Sequence, residues 1–478
     1  MEDTMADLKR LLDVEPVVVT AGIEVLATAL EAQGVEVRRT EWAPPPAGTG
    51  TALARLAADP SVSAANEMAL ARMLAVRPQL VNVATAGDVI PGLDETTFLH
   101  AGPPLTWDDA SGPMRGALIG AALYEGLATT PEEARARIGA GEIGLSPCHH
   151  HHSAGPMAGV ISPSMPVLVV EDPDSGERAY STLNEGLGKV LRYGAYAPEV
   201  IDRLRWMEGV LGPVLAGVLK RAGPIDLRPL IAQALQMGDD GHNRNRAGTS
   251  LLLRFLGAGL LEAEEIPSAD RVDVYRFIDS NDHFMLNVVM AAGKLIVEAA
   301  SGVPRSSLVT TMARNGTEFG IRLSGTGDRW FTAPAPRVDG LFLGSYTADD
   351  ANPDIGDSAI TETVGLGGFA MAASPAIVGF VGGSAAEAVQ RTLAMFEITM
   401  TEHPEFRIPI LESRGAPTGI DAVLVVRTGV RPQINTGVAG KEPGVGMVGA
   451  GLVEAPMACF TTAVNALADE IADGEGSD

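Results

Sequence analysis

Residues 310–368 alternate short apolar runs with loops of Gly, Asn, Asp and Arg. The runs at 319–323 and 341–343 predict buried strands, and the glycines between them predict tight turns. The loops carry Arg314, Asn315, Ser324, Asp328, Arg329, Asn352, Asp354, Asp357, Ser358, Thr361 and Glu362. Polar side chains gathered between buried strands are where sites are built. Glycines there let backbone N–H groups approach an anion, because no Cβ intervenes. Thr361-Glu362-Thr363 ahead of a Gly/Ala-rich run predicts a loop entering a helix, whose first N–H groups favour negative charge. The competing reading is a tightly turned sheet with solvated loops.

A chain of 478 residues exceeds one ordinary core, so about two to four domains are expected. Its 46% hydrophobic and 20% charged residues are those of a well-buried globular protein. With 55 glycines and only 5% aromatics, close backbone packing is expected in place of aromatic clusters. A net charge of −25 argues against a nucleic-acid partner, since phosphate contacts need a basic surface. It does not forbid a local arginine-lined anion site. The two cysteines, Cys148 and Cys459, form no framework, which fits a reducing compartment. No signal core or membrane-length apolar run is present, so a cytoplasmic protein with no membrane association is expected.

The fold class predicted is mixed α/β, in several domains. Residues 16–23 read as a strand and turn, 24–33 as a helix ended by Gly34, and 35–42 as a second strand. That βαβ unit implies parallel strands in a Rossmann-like N-terminal domain over 1–98. Its turn lacks GxGxxG, so no dinucleotide is indicated. Residues 99–196 read as an α/β domain with the HAGPP and CHHHH loops, and 197–265 as a small all-helical domain. Residues 266–478 read as a C-terminal α/β domain, with 423–428 (VLVVRT) a strand and the acidic tail disordered. Residues 184–189 (NEGLGK) read as a helix start resembling a generic phosphate-binding turn.

Further candidate side chains fall outside the 310–368 stretch. At the strand–loop–helix join after His100, Gly112, Arg115 and Gly116 offer backbone and guanidinium donors to an anion. The polar loop 237–245 ends in His242, Asn243, Arg244 and Asn245; the plain alternative is a helix cap. The run Cys148-His149-His150-His151-His152 suggests metal, but consecutive histidines in a strand alternate sides. No HExxH or distant CxxC completes a ligand set, so neither metal nor cofactor is expected. Imidazoles donating hydrogen bonds from a polar loop fit better. No Ser-His-Asp order, GxSxG or P-loop appears. What remains is Arg, Asn, Ser/Thr and Gly in loops, which suits a small anion and acyl or carbamoyl transfer.

The segments HAGPPLTWDDASGPMRGA, PCHHHHSAGPMAG, NEGLGKVLRYGA, MGDDGHNRN, RNGTEFGIRLSGTGDRWF, ANPDIGDSAITET and INTGVAGKEPGVGMVGAG together resemble the YlbE/AllG family. The similarity runs from about residue 100 to residue 457. VTAGIEVLATALEAQGVEVRRTEWAPPPAG resembles a segment of FdrA-type proteins, relatives of the succinyl-CoA synthetase α subunit. The resemblance implies a subunit of an oxamate carbamoyltransferase-like transferase, working in an oligomer with FdrA-like and AllH-like subunits in allantoin catabolism. Such a complex interconverts oxalurate plus phosphate with oxamate plus carbamoyl phosphate. The alternative implied is a non-catalytic scaffold completing the site of an FdrA-like partner. On the catalytic reading His242 and Asn315 polarise the carbamoyl oxygen, and Asp328 and Asp357 orient arginines. Arg314 and Arg329 hold phosphate or carboxylate, with His100, Arg115, His149, His150, Asn245 and Ser358 also lining the substrate cleft. His151, His152 and Met447 depart from the common family form.

Overall fold

The structure, a computed structural model, describes residues 17–21, 24–40 and 44–475. They divide into two units, one up to Ala47 and one from Gly48 onward. In the first, strand β1 (Val17–Ala21), helix α1 (Glu24–Glu31) and strand β2 (Glu36–Thr40) form a βαβ unit. The strands are parallel, in register from Val17↔Glu36 to Ala21↔Thr40. The expected βαβ is therefore present. The ends of that reading, at residues 16, 22–23 and 41–42, lie outside the described residues.

The boundary expected at residue 98 is not where the chain divides. Strand β3 (Gln79–Thr85) pairs antiparallel with β6 (Pro166–Glu171), which pairs with β7 (Arg178–Thr182). Between them in sequence, β4 (Thr97–His100) runs parallel to β5 (Gly144–Pro147). Residues 48–98 are thus tied by hydrogen bonds to the segment that follows. β6 and β7 form a hairpin, with Asp172 accepting from Ser175 at its turn.

The helical stretch carries α2 (Pro198–Trp206), α3 (Gly212–Ala222), α4 (Leu227–Gln236) and α5 (Arg246–Glu262). A π turn, Met207–Leu211, joins the first two ahead of Pro213, which has no N–H to donate. A two-residue strand, β8 (Ile225–Asp226), pairs with β3, so the helices are anchored to the sheet. Their apolar faces share one core with the buried helix α6 (Phe284–Glu298).

Downstream, β9 (Val309–Asn315), β10 (Glu318–Leu323), β11 (Phe331–Pro334) and β13 (Ile355–Gly356) form a four-stranded antiparallel sheet, in the order β11-β10-β9-β13. β12 (Asp339–Phe342), β17 (Met447–Glu454) and β16 (Gln433–Ala439) form a three-stranded antiparallel sheet in that order. β14 (Thr399–Ile408) and β15 (Arg414–Ile420) make a bulged hairpin. Helix α7 (Met457–Glu475) covers the second core with Phe460, Val464 and Leu467.

Three local expectations are corrected. Residues 422–428 are a helix, Ala422–Thr428. Asp421 accepts the Val423 N–H at 2.8 Å as N-cap and Gly429 ends it at φ 76°. These end signals, with Ala422, Val425 and Val426 buried at helical spacing, outweigh the β-branched run. Residues 184–189 start no helix; Gly186 and Gly188 take φ 96° and 90° in a turn. The acidic tail is helical as far as Glu475, and residues 476–478 lie outside the described residues. Among the described residues no helix is long and apolar enough to cross a membrane.

Candidate functional site

Three of the motif loops meet at Asp357. Its side chain is fully buried just after β13, whose partner β9 sits beside the loop after β4. One carboxylate oxygen accepts the Gly102 N–H at 2.8 Å and the other the Gly155 N–H at 3.0 Å. The His149 Nε2 lies 3.4 Å from Oδ1. Gly102 is required: at φ +84° a Cβ would lie 2.3 Å from the Asn315 nitrogen.

The histidine run is a 3-10 turn, Cys148–His151, not a strand. It turns His149 inward, leaves His150 exposed, and spends both His151 nitrogens on Ser146 and the Pro91 carbonyl. His150 accepts the Trp330 indole N–H at 2.9 Å. Burial, then the Arg322 charge, lowers His150 to about 4. His149 and His100 are lowered by burial and are neutral near pH 7. Among the described residues the His149 Nδ1 and the His100 Nε2 have no hydrogen-bond partner, and the His149 Nε2 has only the long approach to Asp357. Burial and then Asp357 push the Cys148 thiol well up, so it is no thiolate nucleophile. Among the described residues no group of His, Cys, Asp and Glu is placed to hold a metal.

A residue the candidate set omits lies under this cluster. Lys294, fully buried in α6, donates to the His149 carbonyl at 3.2 Å and to Glu298. Against the upward push of burial, Lys294 holds Glu298 at about 2. A lone lysine in the apolar run MLNVVMAAGKLIV is a signal visible in the sequence.

A second constellation surrounds His242. Its Nδ1 lies 2.9 and 3.0 Å from the two oxygens of Glu362. Glu362, fully buried, also accepts from Gly368 N at 2.8 Å, Thr361 Oγ1 at 2.9 Å and Asn435 N at 3.3 Å. Held by those donors, the carboxylate is placed to accept a hydrogen bond from His242 Nδ1 and so to orient the ring. Asp240 accepts the His242 N–H at 2.9 Å and Asn435 Nδ2 at 2.6 Å. Asn245 closes the turn on the His242 carbonyl at 2.5 Å. Burial raises the neighbouring Asp239 to about 6.

The remaining candidates do not converge here. Arg314 is fully buried, but its guanidinium is committed to Asp354 at 2.6 and 3.1 Å, the Gly356 carbonyl at 2.7 Å and Thr436 at 3.2 Å. Asn315 spends its amide on the Pro103 carbonyl and the 315–318 turn. Asp328 is 90% exposed and pairs with Arg322; Arg329 is 55% exposed and faces Glu470 at 3.6 Å. Asp328 and Arg329 thus point outward, away from Asp357, because they lie on the turn leading into β11. Arg115 donates to the Trp107 and Asp108 carbonyls and holds its own loop. Ser358 is buried beside Asp357. The geometry therefore builds two carboxylate–imidazole clusters from the candidate loops, without the expected arginine clamp.

Comparison with known proteins places these loops in a family. Residues 143–358 match the family described as oxamate carbamoyltransferase subunit AllG. The chain is 46% identical over 453 residues to the uncharacterized protein YahG of Escherichia coli K12, covering 94% of this chain and 96% of that protein. It is 45% identical over 417 residues to the oxamate carbamoyltransferase subunit AllG of the same organism, covering 87% of this chain and 99% of that protein. The crystal structure of a conserved protein of unknown function from Enterococcus faecalis V583 superposes with a TM-score of 0.84 at 47% identity, over 85% of this chain and 97% of that one.

Proposed function

The chain belongs to the AllG family, and from that membership we propose that it is a subunit of an oxamate carbamoyltransferase-like complex. In this reading the complex moves a carbamoyl group between a ureido compound of the oxalurate type and phosphate, in purine and nitrogen catabolism in the cytoplasm. FdrA-like and AllH-like subunits are its partners. One observation carries the reading: 45% identity over 99% of the length of the AllG protein. The equal likeness to YahG is why the substrate is given as a class.

In the phosphorolytic direction a phosphate oxygen bonds to the ureido carbonyl carbon and the C–N bond breaks. The nitrogen leaves as an amide after taking a proton, and the products are oxamate and carbamoyl phosphate. Of the expected residues, His242 best fits the proton transfer, since Glu362 fixes its tautomer. Asp357 is a positioning residue that locks the 102 and 155 loops together. Fixed donors lower the oxyanion-bearing state by about 3–4 kcal/mol each. The test is oxalurate phosphorolysis by the purified chain, alone and with its FdrA-like and AllH-like neighbours, following carbamoyl phosphate. Absence of turnover in every combination would count against the reading.

A second reading, a scaffold subunit completing a partner's site, is favoured by the commitment of Arg314 and the outward placement of Arg329. His242→Asn separates the two. It abolishes turnover by the complex in the first reading and leaves it intact in the second.

A further inference from the structure

One sheet of the chain ends on an unguarded strand. β12 pairs on one side with β17 and stands at the edge of its sheet. The Leu343 N–H donates to the Val448 carbonyl at 2.8 Å. Antiparallel ladders alternate, so the N–H and C=O groups of Gly340 and Phe342 point away from β17, to the open side. Natural edges are blunted by proline, by charge or by a covering element. Here Asp339 guards only the start of the strand. Leu341 and Leu343 are 50% and 51% exposed, and Tyr346 follows in an exposed loop. Three large apolar side chains beside unpaired backbone groups invite another strand.

Charge decides which strand. The chain carries a net charge of −25, so two copies repel over most of their surface. Beside β12 that imbalance is absent. An open cleft of about 710 Å³ is lined by this sheet and by the helix Ala385–Met395. Its walls hold Arg337, Arg391 and Arg431 with Asp339, Glu387 and Glu454. The two signs cancel, so neither a strongly basic nor a strongly acidic partner gains from this wall. A second copy does. Under a two-fold axis the patch meets itself, and charges of both signs face their opposites.

We propose that β12 pairs antiparallel with β12 of a second copy across a two-fold axis at Phe342, joining two three-stranded sheets into one of six. Pairing Phe342 with itself uses the outward backbone groups. It sets Leu341 opposite Leu343 of the other copy, twice, and gathers four leucines on one face. An axis at Leu341 or Gly340 would put Asp339 opposite a leucine instead. A stable dimer needs about 800 Å² from each partner, more than one short strand covers, so the exposed loop 343–350 joins the contact. This surface is independent of the carbamoyltransferase reading.

Sedimentation velocity of the full chain over a wide range of concentrations tests it. The unaltered chain is expected to dimerise reversibly. Leu341→Asp/Leu343→Asp should weaken the dimer at least about a hundredfold, since one buried leucine is worth roughly tenfold or more. Leu341→Ala/Leu343→Ala covers the case in which the aspartates disturb the fold, and should weaken it about tenfold or more. Leu261→Asp, at an exposed leucine elsewhere, should dimerise as the unaltered chain does. Cross-linking reads the register. Cys148 and Cys459 are buried, so a mixture of Leu341→Cys and Leu343→Cys chains should form a disulfide that Leu341→Cys alone does not. Amide exchange at Gly340 and Phe342 should slow in the dimer. The proposal is overturned if the unaltered chain stays monomeric at every concentration, or if the folded leucine variants dimerise unchanged. It is also overturned if Leu261→Asp weakens the dimer equally, if the mixed cysteine chains do not cross-link, or if β12 takes a different subunit in place of a second copy. Absence of turnover in every subunit combination would remove the proposed reaction and leave this dimer standing.

Discussion

Removing Asp354 tests whether Arg314 serves the fold or a ligand. Asp354 is 1% exposed and accepts from Arg314 Nε at 2.6 Å, Arg314 Nη2 at 3.1 Å, Thr436 Oγ1 at 3.0 Å and Ile355 N at 3.0 Å. In Asp354→Ala the Arg314 charge stays buried with only the Gly356 carbonyl and Thr436 as partners. Breaking a buried ion pair from one side costs about 3–5 kcal/mol. A unit of about 430 residues unfolds with an entropy near 0.9 kcal/mol/K, so the melting temperature should fall by about 3–6 °C. Differential scanning calorimetry reads that shift. The double variant Asp354→Leu/Arg314→Met should recover most of it, because an apolar pair of similar volume is often no worse. If Asp354→Ala melts like the unaltered chain yet loses oxamate or phosphate binding, Arg314 is reserved for a ligand. The reasoning from its saturated hydrogen bonds then fails.

Three further outcomes follow from the same geometry. Gly102→Ala should lower the melting temperature and weaken the Asp357 junction, since its Cβ would meet backbone at 2.3 Å at a positive φ. Amide exchange in the 100–104 and 153–159 loops should rise, and unchanged protection would refute it. Glu362→Gln keeps the shape but no longer fixes the His242 proton, so the pH profile of turnover should shift with little loss of fold, as circular dichroism would check. Acid stability should fall from about pH 6.5 downward. Burial holds His283 and His403 at about 3. The unfolded chain therefore binds more protons than the folded one between about 6.5 and 3, and each histidine takes away up to about 1.4 kcal/mol per pH unit as pH falls. His403 Nδ1 accepts two backbone N–H groups, so His403→Phe should flatten that limb in denaturant titrations at pH 5 and 7.

Periodicity and end signals carried the regular elements. Helix Pro131–Gly139 shows both, with Thr130 accepting the Glu133 N–H and proline at its first turn. Where they conflicted, as over Ala422–Thr428, the ends decided and the residue types misled. The site was half legible. His242 stood out in a loop too polar for a simple cap, and Asp357 in a glycine-flanked turn. The hydrogen-bond commitments of the arginines were not legible, because local sequence shows company, not commitment. Arg314 looks free beside Asn315, yet its acceptors sit 40 and 122 residues away on Asp354 and Thr436. Arg192, inside LRYGA, looks like an ordinary turn residue, yet it is one of five arginines whose Nε is buried without a hydrogen-bond partner among the described residues.

The failure of motif scanning has a physical cause in how these clusters are made. Asp357 is held by two backbone N–H groups, from Gly102 and Gly155, and Glu362 by two more, from Gly368 and Asn435. Backbone donors leave no side-chain signature; what they require is close approach, and a Cβ on Gly155 would lie 2.5 Å from the Gly159 Cα. A chain that builds its polar centre this way needs many glycines and few bulky aromatics, as this composition shows. The two carboxylates sit on one segment, 355–363, yet they are pinned to different loops. The His242 loop and the Gly102–Gly155 junction are thus joined through one short backbone segment.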